Sequence, residues 1–114
     1  MNLHEYRMTV ARNMSEKTLQ SRVEQLAREL GWLFYHTHDS RRSEAGFPDI
    51  VFVHPTGGRI VVRELKNMKG SPSPAQKTWL AGFENAGIDT GIWRPIDLLD
   101  ETVLNTLTQT RSTP

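Results

Sequence analysis

The sequence predicts an α/β domain with a mixed sheet and a central β-hairpin flanked by helices, in the order α-β-β-β-α-β-α. Two apolar runs, at 50–53 and 60–62, flank the turn composition Pro-Thr-Gly-Gly at 55–58, which is typical of a hairpin. Apolar residues at helical spacing precede the first run and follow the second. The chain has 114 residues, of which 37% are hydrophobic, and this is enough for one core without covalent staples.

The first predicted helix begins after Ser15, a good N-cap, runs to about Leu30 and stops at Gly31. At about 100° per residue, Glu16 and Gln20 fall inside its apolar stripe. Glu16 either faces a polar site on the adjacent sheet or stays solvated as a first-turn acid favoured by the helix dipole. The apolar members of the stripe are Leu19, Val23, Leu26, Ala27 and Leu30.

The second helix is predicted from Ser73-Pro74-Ala75-Gln76, which has the pattern of a capping box with proline at the first helical position. Gly87 ends this helix. Its stripe of Trp79, Leu80, Phe83 and Ala86 indicates core packing, and base stacking by Trp79 is the alternative. The other expected elements are a first strand at 32–38, loops at 39–46 and 67–72, a last strand at 88–93 and a last helix from Leu98 to Leu107.

This organisation suggests an N-terminal extension at 1–14, one folded domain at 15–105 and a flexible Thr-rich tail at 106–114. The chain has no cysteine, which excludes a disulfide framework and a thiolate zinc site. No stretch is apolar enough for a membrane span, and the start lacks the apolar segment of a secretory signal. We therefore expect a cytoplasmic protein without a membrane partner.

The net charge of +1 is weak evidence for a nucleic-acid partner, but the charge is unevenly distributed. Residues 36–77 hold seven Lys or Arg against four Asp or Glu, whereas residues 78–114 hold two against five. Two of the four central acids, Asp49 and Glu64, are candidate ligands for a cation, and a bound cation would make this region more positive. An ordinary solvated surface is the alternative interpretation.

The chemistry-bearing motif is Pro48-Asp49 at the mouth of the hairpin and Glu64-Leu65-Lys66 at its end. Carboxylates are the ligands that a hard divalent cation prefers, and a lysine supplies a fixed positive charge beside it. If Val53 pairs with Ile60, Asp49 lies opposite Glu64; with a tighter Gly-Gly turn it lies opposite Lys66. Either register puts the three groups on one face. A structural alternative is a chance Pro-Asp and a surface ion pair.

Five motifs in order resemble the VRR-NUC domain, the virus-type replication-repair nuclease branch of the PD-(D/E)XK superfamily. The resemblance extends from about Ser15 to Leu99. The motifs are Ser15-Glu16 with Leu19-Gln20 and Gly31-Trp32, Gly46-Phe47-Pro48-Asp49, Gly58-Arg59 with Glu64-Leu65-Lys66, Ser73-Pro74-Ala75-Gln76, and Trp79-Leu80. A domain of this length is similar to the stand-alone phage and bacterial members.

The resemblance implies a restriction-endonuclease-like core and a site built from six residues. Asp49, Glu64, the backbone carbonyl of Leu65 and Glu16 would hold Mg²⁺, with Mn²⁺ as an alternative. Lys66 and Gln76 would complete the catalytic set with Asp49, Glu64 and Glu16. No small-molecule cofactor is implied. Members of this type resemble Holliday-junction resolvases and are expected to act as homodimers.

The implied function is structure-selective DNA endonuclease activity in phage or bacterial replication, recombination or repair, in the host cytoplasm if the chain is phage-encoded. The alternatives are a catalytically silent DNA-binding or assembly module, or the same chemistry on RNA. Junction, flap and duplex DNA remain open as substrates. Arg63 departs from the family pattern, in which an apolar residue is commoner, and it suggests either DNA contact or an exposed strand edge. The expected nucleic-acid-binding residues are Arg41, Arg42, Arg63, Lys69 and Lys77.

Overall fold

A computed structural model describes residues 1–37 and 44–111. Within these residues, two helices precede the sheet: α1 (Leu3–Arg12) and α2 (Glu16–Glu29). The strands are β1 (Leu33–His36), β2 (Ile50–Val53) and β3 (Ile60–Leu65). Helix α3 (Pro74–Asn85) leads to β4 (Asp89–Trp93), which is followed by α4 (Pro95–Leu99) and α5 (Thr102–Thr108).

The sheet has the order β1-β2-β3-β4, in which the first three strands are antiparallel and β4 runs parallel to β3. The predicted α/β class, mixed sheet and central hairpin are therefore confirmed. The capping signals also hold. Ser15 accepts a hydrogen bond from the backbone N–H of Thr18 at 3.1 Å, and Gly31 takes the left-handed conformation with φ +83°.

The core lies between one face of the sheet and helices α2 and α5. Leu19, Val23 and Ala27 of the predicted α2 stripe are fully buried, and Leu26 and Leu30 pack at the edge. Trp32 links this core to α5, because its indole N–H donates to the Leu107 carbonyl at 2.8 Å. The sheet contributes Ile50, Phe52, Val61, Leu65 and Trp93 to this core.

The chain ends differ from the sequence-based expectation. The residues expected to be an extension contain α1, whose Ala11 is fully buried. The expected last helix is two helices, because Glu101 has φ +70° and interrupts the turn. The expected tail begins inside α5, and the Arg59 guanidinium donates to the carbonyls of Thr106 and Gln109. Tertiary hydrogen bonds that local sequence does not reveal hold this segment against the sheet.

None of the described helices is both long and apolar enough to cross a membrane. Among the described residues, one face of the hairpin and β1 carries exposed apolar side chains. Leu33, Tyr35, Val53 and Ile60 are between 39% and 62% exposed there. Leu33 pairs with Val53 and Val53 pairs with Ile60, so these side chains lie on the same sheet face.

Candidate active site

The hairpin register places the predicted carboxylates together. Val53 pairs with Ile60 and Ile50 pairs with Arg63, which confirms the first of the two registers considered. Asp49, the next residue out, therefore lies opposite Glu64. Lys66 is two residues beyond Glu64 and continues the strand, because its backbone N–H donates to the Trp93 carbonyl at 3.1 Å. The face shared by these groups is opposite to the core face.

Asp49 is fixed by its backbone and by one carboxylate oxygen. Its carbonyl accepts from the Thr37 N–H at 2.9 Å, which extends the pairing between β1 and β2. Its Oδ2 accepts from the Leu65 N–H at 2.7 Å. This bond joins the start of β2 to the end of β3, and it leaves Oδ1 as the oxygen available to another ligand.

The segment before Asp49 docks on the beginning of α3. Gly46 has φ +85°, and a Cβ atom on it would lie 2.4 Å from the backbone carbon of Ala75, so only glycine fits. The Phe47 ring lies 5.1 Å from Trp79 and 6.0 Å from Phe83 between ring centroids. The Trp79 indole N–H donates to the Ala45 carbonyl at 3.2 Å. Helix α3 and the Pro-Asp turn are therefore packed as one unit.

Glu64 is the most unusual residue of the site. It is 1% exposed, and neither of its carboxylate oxygens has a hydrogen-bond partner among the described residues. Burial, followed by the neighbouring Asp49 carboxylate, raises the pKa of Glu64 to about 9. A buried carboxylate without a donor is costly unless it is protonated or paired with a cation.

Lys66 and Glu16 lie within electrostatic range of Glu64. The positive charge of Lys66 lowers the pKa of Glu64 and the negative charge of Glu16 raises it, although burial and Asp49 outweigh both. Glu16 is exposed at the start of α2, and its Oε1 accepts from the Asn67 N–H at 3.3 Å. The structure thus places Glu16 at the rim of the site.

Gln76 forms the predicted capping box. Its Oε1 accepts from the Ser73 N–H at 2.8 Å, and Ser73 Oγ accepts from the Gln76 N–H at 3.2 Å. The expected core stripe of α3 is only partly buried, and no residue of this helix is fully buried. The apolar cavity beside it has a volume of about 450 Å³ and is lined by Thr78, Trp79, Gly82, Phe83 and Ala86.

Arg63 does not fit the expected contact with nucleic acid. It is buried in the central strand, where its guanidinium lies 4.8 Å from the Trp93 ring centroid and donates to Asp89 Oδ1 at 2.8 Å. Arg59 also pairs with Asp89. Burial raises the pKa of Asp89, but the hydrogen bond and charge of Arg63, followed by those of Arg59, outweigh it and lower that pKa. Arg63 is therefore part of a structural ion cluster.

Of the four other expected nucleic-acid-binding residues, two are exposed and two fall outside the described residues. Lys69 and Lys77 are exposed, in the loop before α3 and in its first turn. Arg41 and Arg42 lie outside the described residues. Sequence reasoning missed two residues beside the site, Asn67 and Arg94. The sequence pattern gives little indication of either residue, since Asn67 is one of several loop residues and Arg94 simply follows a strand.

The carboxylates alone do not form a complete metal cage. Within residues 1–37 and 44–111, no group of three or more His, Cys, Asp or Glu side chains is close enough to hold a metal ion. A cation at Asp49 and Glu64 would require additional oxygen ligands, such as a backbone carbonyl or water. This is the usual environment of Mg²⁺, which keeps several waters in protein sites.

Comparison with known proteins agrees with this architecture. The family model of the VRR-NUC domain matches residues 1–94. A solved structure described as a VRR_NUC domain superposes with a TM-score of 0.57 and 22% sequence identity, covering 80% of this chain and 97% of that one. At this identity the superposition shows the fold alone. The search of curated proteins found no match. The chain belongs to the VRR-NUC domain family and has a nuclease-type domain.

Proposed function

We propose that the protein is a metal-dependent endonuclease that hydrolyses phosphodiester bonds in structured DNA. The observation that carries the proposal is the Glu64 carboxylate, which is 1% exposed, lacks a hydrogen-bond partner among the described residues and faces Asp49. The two carboxylates lie close enough together that Asp49 raises the pKa of Glu64. Bringing like charges this close costs free energy unless a proton or a cation lies between them.

The donor set fits a hard divalent cation. When both carboxyl groups are ionised, Asp49 Oδ1 and the two Glu64 oxygens are acceptor-only atoms on one face, and Mg²⁺ and Mn²⁺ both favour oxygen ligands. The family resemblance adds the Leu65 carbonyl as a ligand. Glu16 would contribute directly or through water from the rim. We propose Mg²⁺ as the resident ion, with Mn²⁺ as a substitute.

When bound, such an ion polarises the scissile phosphate and lowers the pKa of a coordinated water. The chain's own groups then complete the reaction. Lys66 would orient the attacking water or stabilise the negative charge that develops on the phosphate oxygens. Gln76, held at the first turn of α3 by its capping box, would position Lys66 or the phosphate. Lys69 and Lys77 would contact the phosphate backbone.

We further propose that two copies of the chain act together on branched DNA. The uncovered sheet face of Leu33, Tyr35, Val53 and Ile60 supports this proposal, because exposed apolar patches often mark protein interfaces. By alternation along β3, Ile60 lies on the same face as Glu64. A second copy on this face would therefore bring the two sites close to the shared interface.

The test is incubation with labelled four-way junction, flap, duplex and single-stranded DNA, and with matched RNA, in Mg²⁺, Mn²⁺ or EDTA. We expect cleavage of structured DNA in the presence of either metal and none in EDTA. Cleavage in EDTA would contradict the metal site. Binding of every substrate without cleavage would favour the silent DNA-binding module, and cleavage of RNA alone would change the substrate class.

A further inference from the structure

We propose that Arg94 is a positioning residue that holds the turn after Lys66 and thereby fixes the lysine and Glu16 relative to the carboxylates. This inference rests on the proposed function, since it assigns Arg94 to the same site. Arg94 follows β4 and lies on the chain 27 residues from Asn67. Nothing in the Pro-Asp or Glu-x-Lys motif includes it.

The contacts define a clamp on residues 67–70. One guanidinium nitrogen of Arg94, Nη1, donates to the Asn67 carbonyl at 2.8 Å and to the Gly70 carbonyl at 2.6 Å. Both carbonyls are therefore drawn to a single cationic donor. Hydrogen bonds with a charged donor are stronger than neutral ones, so this contact can determine the shape of an otherwise exposed turn.

The inside of the turn is held by Asn67. Its Oδ1 accepts from the Lys69 N–H at 2.9 Å and from the Gly70 N–H at 2.7 Å. Its backbone N–H donates to Glu16 Oε1 at 3.3 Å. The turn therefore links Arg94 on one side to Glu16 on the other, and a change in its shape would move the carboxylate at the rim of the site.

The same turn packs against the Lys66 side chain. A Cβ atom placed on Gly70 would lie 3.4 Å from Lys66 Cδ and 3.6 Å from Glu16 Oε1. The Gly70 backbone is thus close to both groups. Because the Lys66 N–H also donates to the Trp93 carbonyl, the last residue of β4 holds the lysine backbone, and the next residue, Arg94, holds the turn that follows it.

The carboxylates of Glu64 and Asp49 do not depend on this clamp. Glu64 is held in the central strand, and Asp49 is held by Leu65, so loss of Arg94 should leave these two groups in place. Of the proposed metal-holding side chains only Glu16, at the rim, depends on the clamp, so Arg94 should affect the rate of the chemical step more than metal affinity. Displacement of a reacting group by about 1 Å can cost on the order of a hundredfold in rate.

The experiment compares Arg94→Met, Arg94→Lys and the matched control Arg12→Met, which removes an exposed arginine of α1. Single-turnover cleavage is measured at saturating enzyme, together with Mn²⁺ affinity and thermal unfolding. We expect Arg94→Met to lower the rate constant by roughly ten- to a hundredfold with Mn²⁺ affinity within about twofold of wild type. Arg94→Lys should recover much of the rate, and Arg12→Met should match wild type.

A merely structural role would instead lower thermal stability and leave the rate constant of the folded protein unchanged, and this result would overturn the inference. So would equal losses in the Met and Lys variants. Asn67→Ala provides an independent check, because combined with Arg94→Met it should add little to either single effect. Additive losses would mean that the two residues do not act through one turn.

Backbone amide exchange of Lys69 and Gly70 separates this inference from the proposed function. These two amides should exchange at least several-fold faster in Arg94→Met than in wild type, and at the wild-type rate in Arg12→Met. If wild type cleaves nothing, the nuclease proposal fails while faster exchange still supports the clamp. Unchanged exchange in Arg94→Met would overturn the clamp whether or not the protein is a nuclease.

Discussion

Glu64→Gln should stabilise the metal-free protein at neutral pH and abolish its response to metal. The pKa of Glu64 rises from the ordinary 4.5 to about 9, first through burial and then through Asp49. The folded state therefore keeps the proton in a range where the unfolded state releases it. The contribution of Glu64 to stability is consequently fully present below pH 4.5 and is lost as the pH rises towards 9.

The size of this effect on the free energy of unfolding follows from how far the pH lies above the pKa of Glu64 in the unfolded state. At pH 7.5 the carboxyl group of Glu64 is ionised in the unfolded state and protonated in the folded state. This pH lies about three units above the unfolded pKa of 4.5. At 1.36 kcal/mol per unit this costs the wild type up to about 4 kcal/mol of unfolding free energy. A glutamine cannot ionise, and its amide can donate to Asp49, so the variant should avoid this cost.

Urea unfolding in EDTA, from pH 4.5 to 8.5, measures the effect. We expect the two proteins to converge near pH 4.5 and Glu64→Gln to be more stable by on the order of 2 to 4 kcal/mol at pH 7.5. Added Mg²⁺ should stabilise the wild type and leave the variant unchanged. Parallel pH profiles for the two proteins would refute the assignment of a raised pKa to Glu64.

Three further predictions test neighbouring parts of the molecule. Asp89→Ala should lower unfolding free energy by about 2 to 3 kcal/mol in urea, because it leaves Arg59 and Arg63 buried without their carboxylate partner, although the 36% exposure of the Asp89 side chain lets solvent weaken both ion pairs. An effect below about 0.5 kcal/mol would contradict this cluster. Gly46→Ala should lower the melting temperature and the cleavage rate together, since its Cβ collides with Ala75, and wild-type values would contradict the docking. Tyr35→Glu should convert the proposed dimer into a monomer, as measured by light scattering. A molecular mass unchanged from that of a dimeric wild type would exclude this face as the interface.

The sequence-based prediction worked best where a signal is local. The capping box at Ser73 and Gln76 and the N-cap at Ser15 involve residues three positions apart, and the structure confirms both. The hairpin register depends on strand alternation and one turn, so the shared face of Asp49 and Glu64 could also be anticipated.

The prediction was weaker where long-range contacts decide the structure. Arg63 finds its partner Asp89 26 residues away, across a parallel strand pair that alternation within β3 cannot reveal. Arg94 reaches Asn67 in the same way. The helix at 3–12 was not predicted; in the structure only its Ala11 is fully buried, and Leu3 and Tyr6 remain exposed.

The most direct test of the account compares metal-dependent cleavage by wild type, Asp49→Asn, Glu64→Gln and Lys66→Met on one labelled structured DNA. Asp49→Asn keeps an oxygen that can accept from the Leu65 N–H, so it separates loss of charge from loss of this hydrogen bond. We predict folded proteins that bind the DNA, with wild type cleaving only when Mg²⁺ or Mn²⁺ is present and all three variants inactive. Full activity in any of the three would contradict the proposed site.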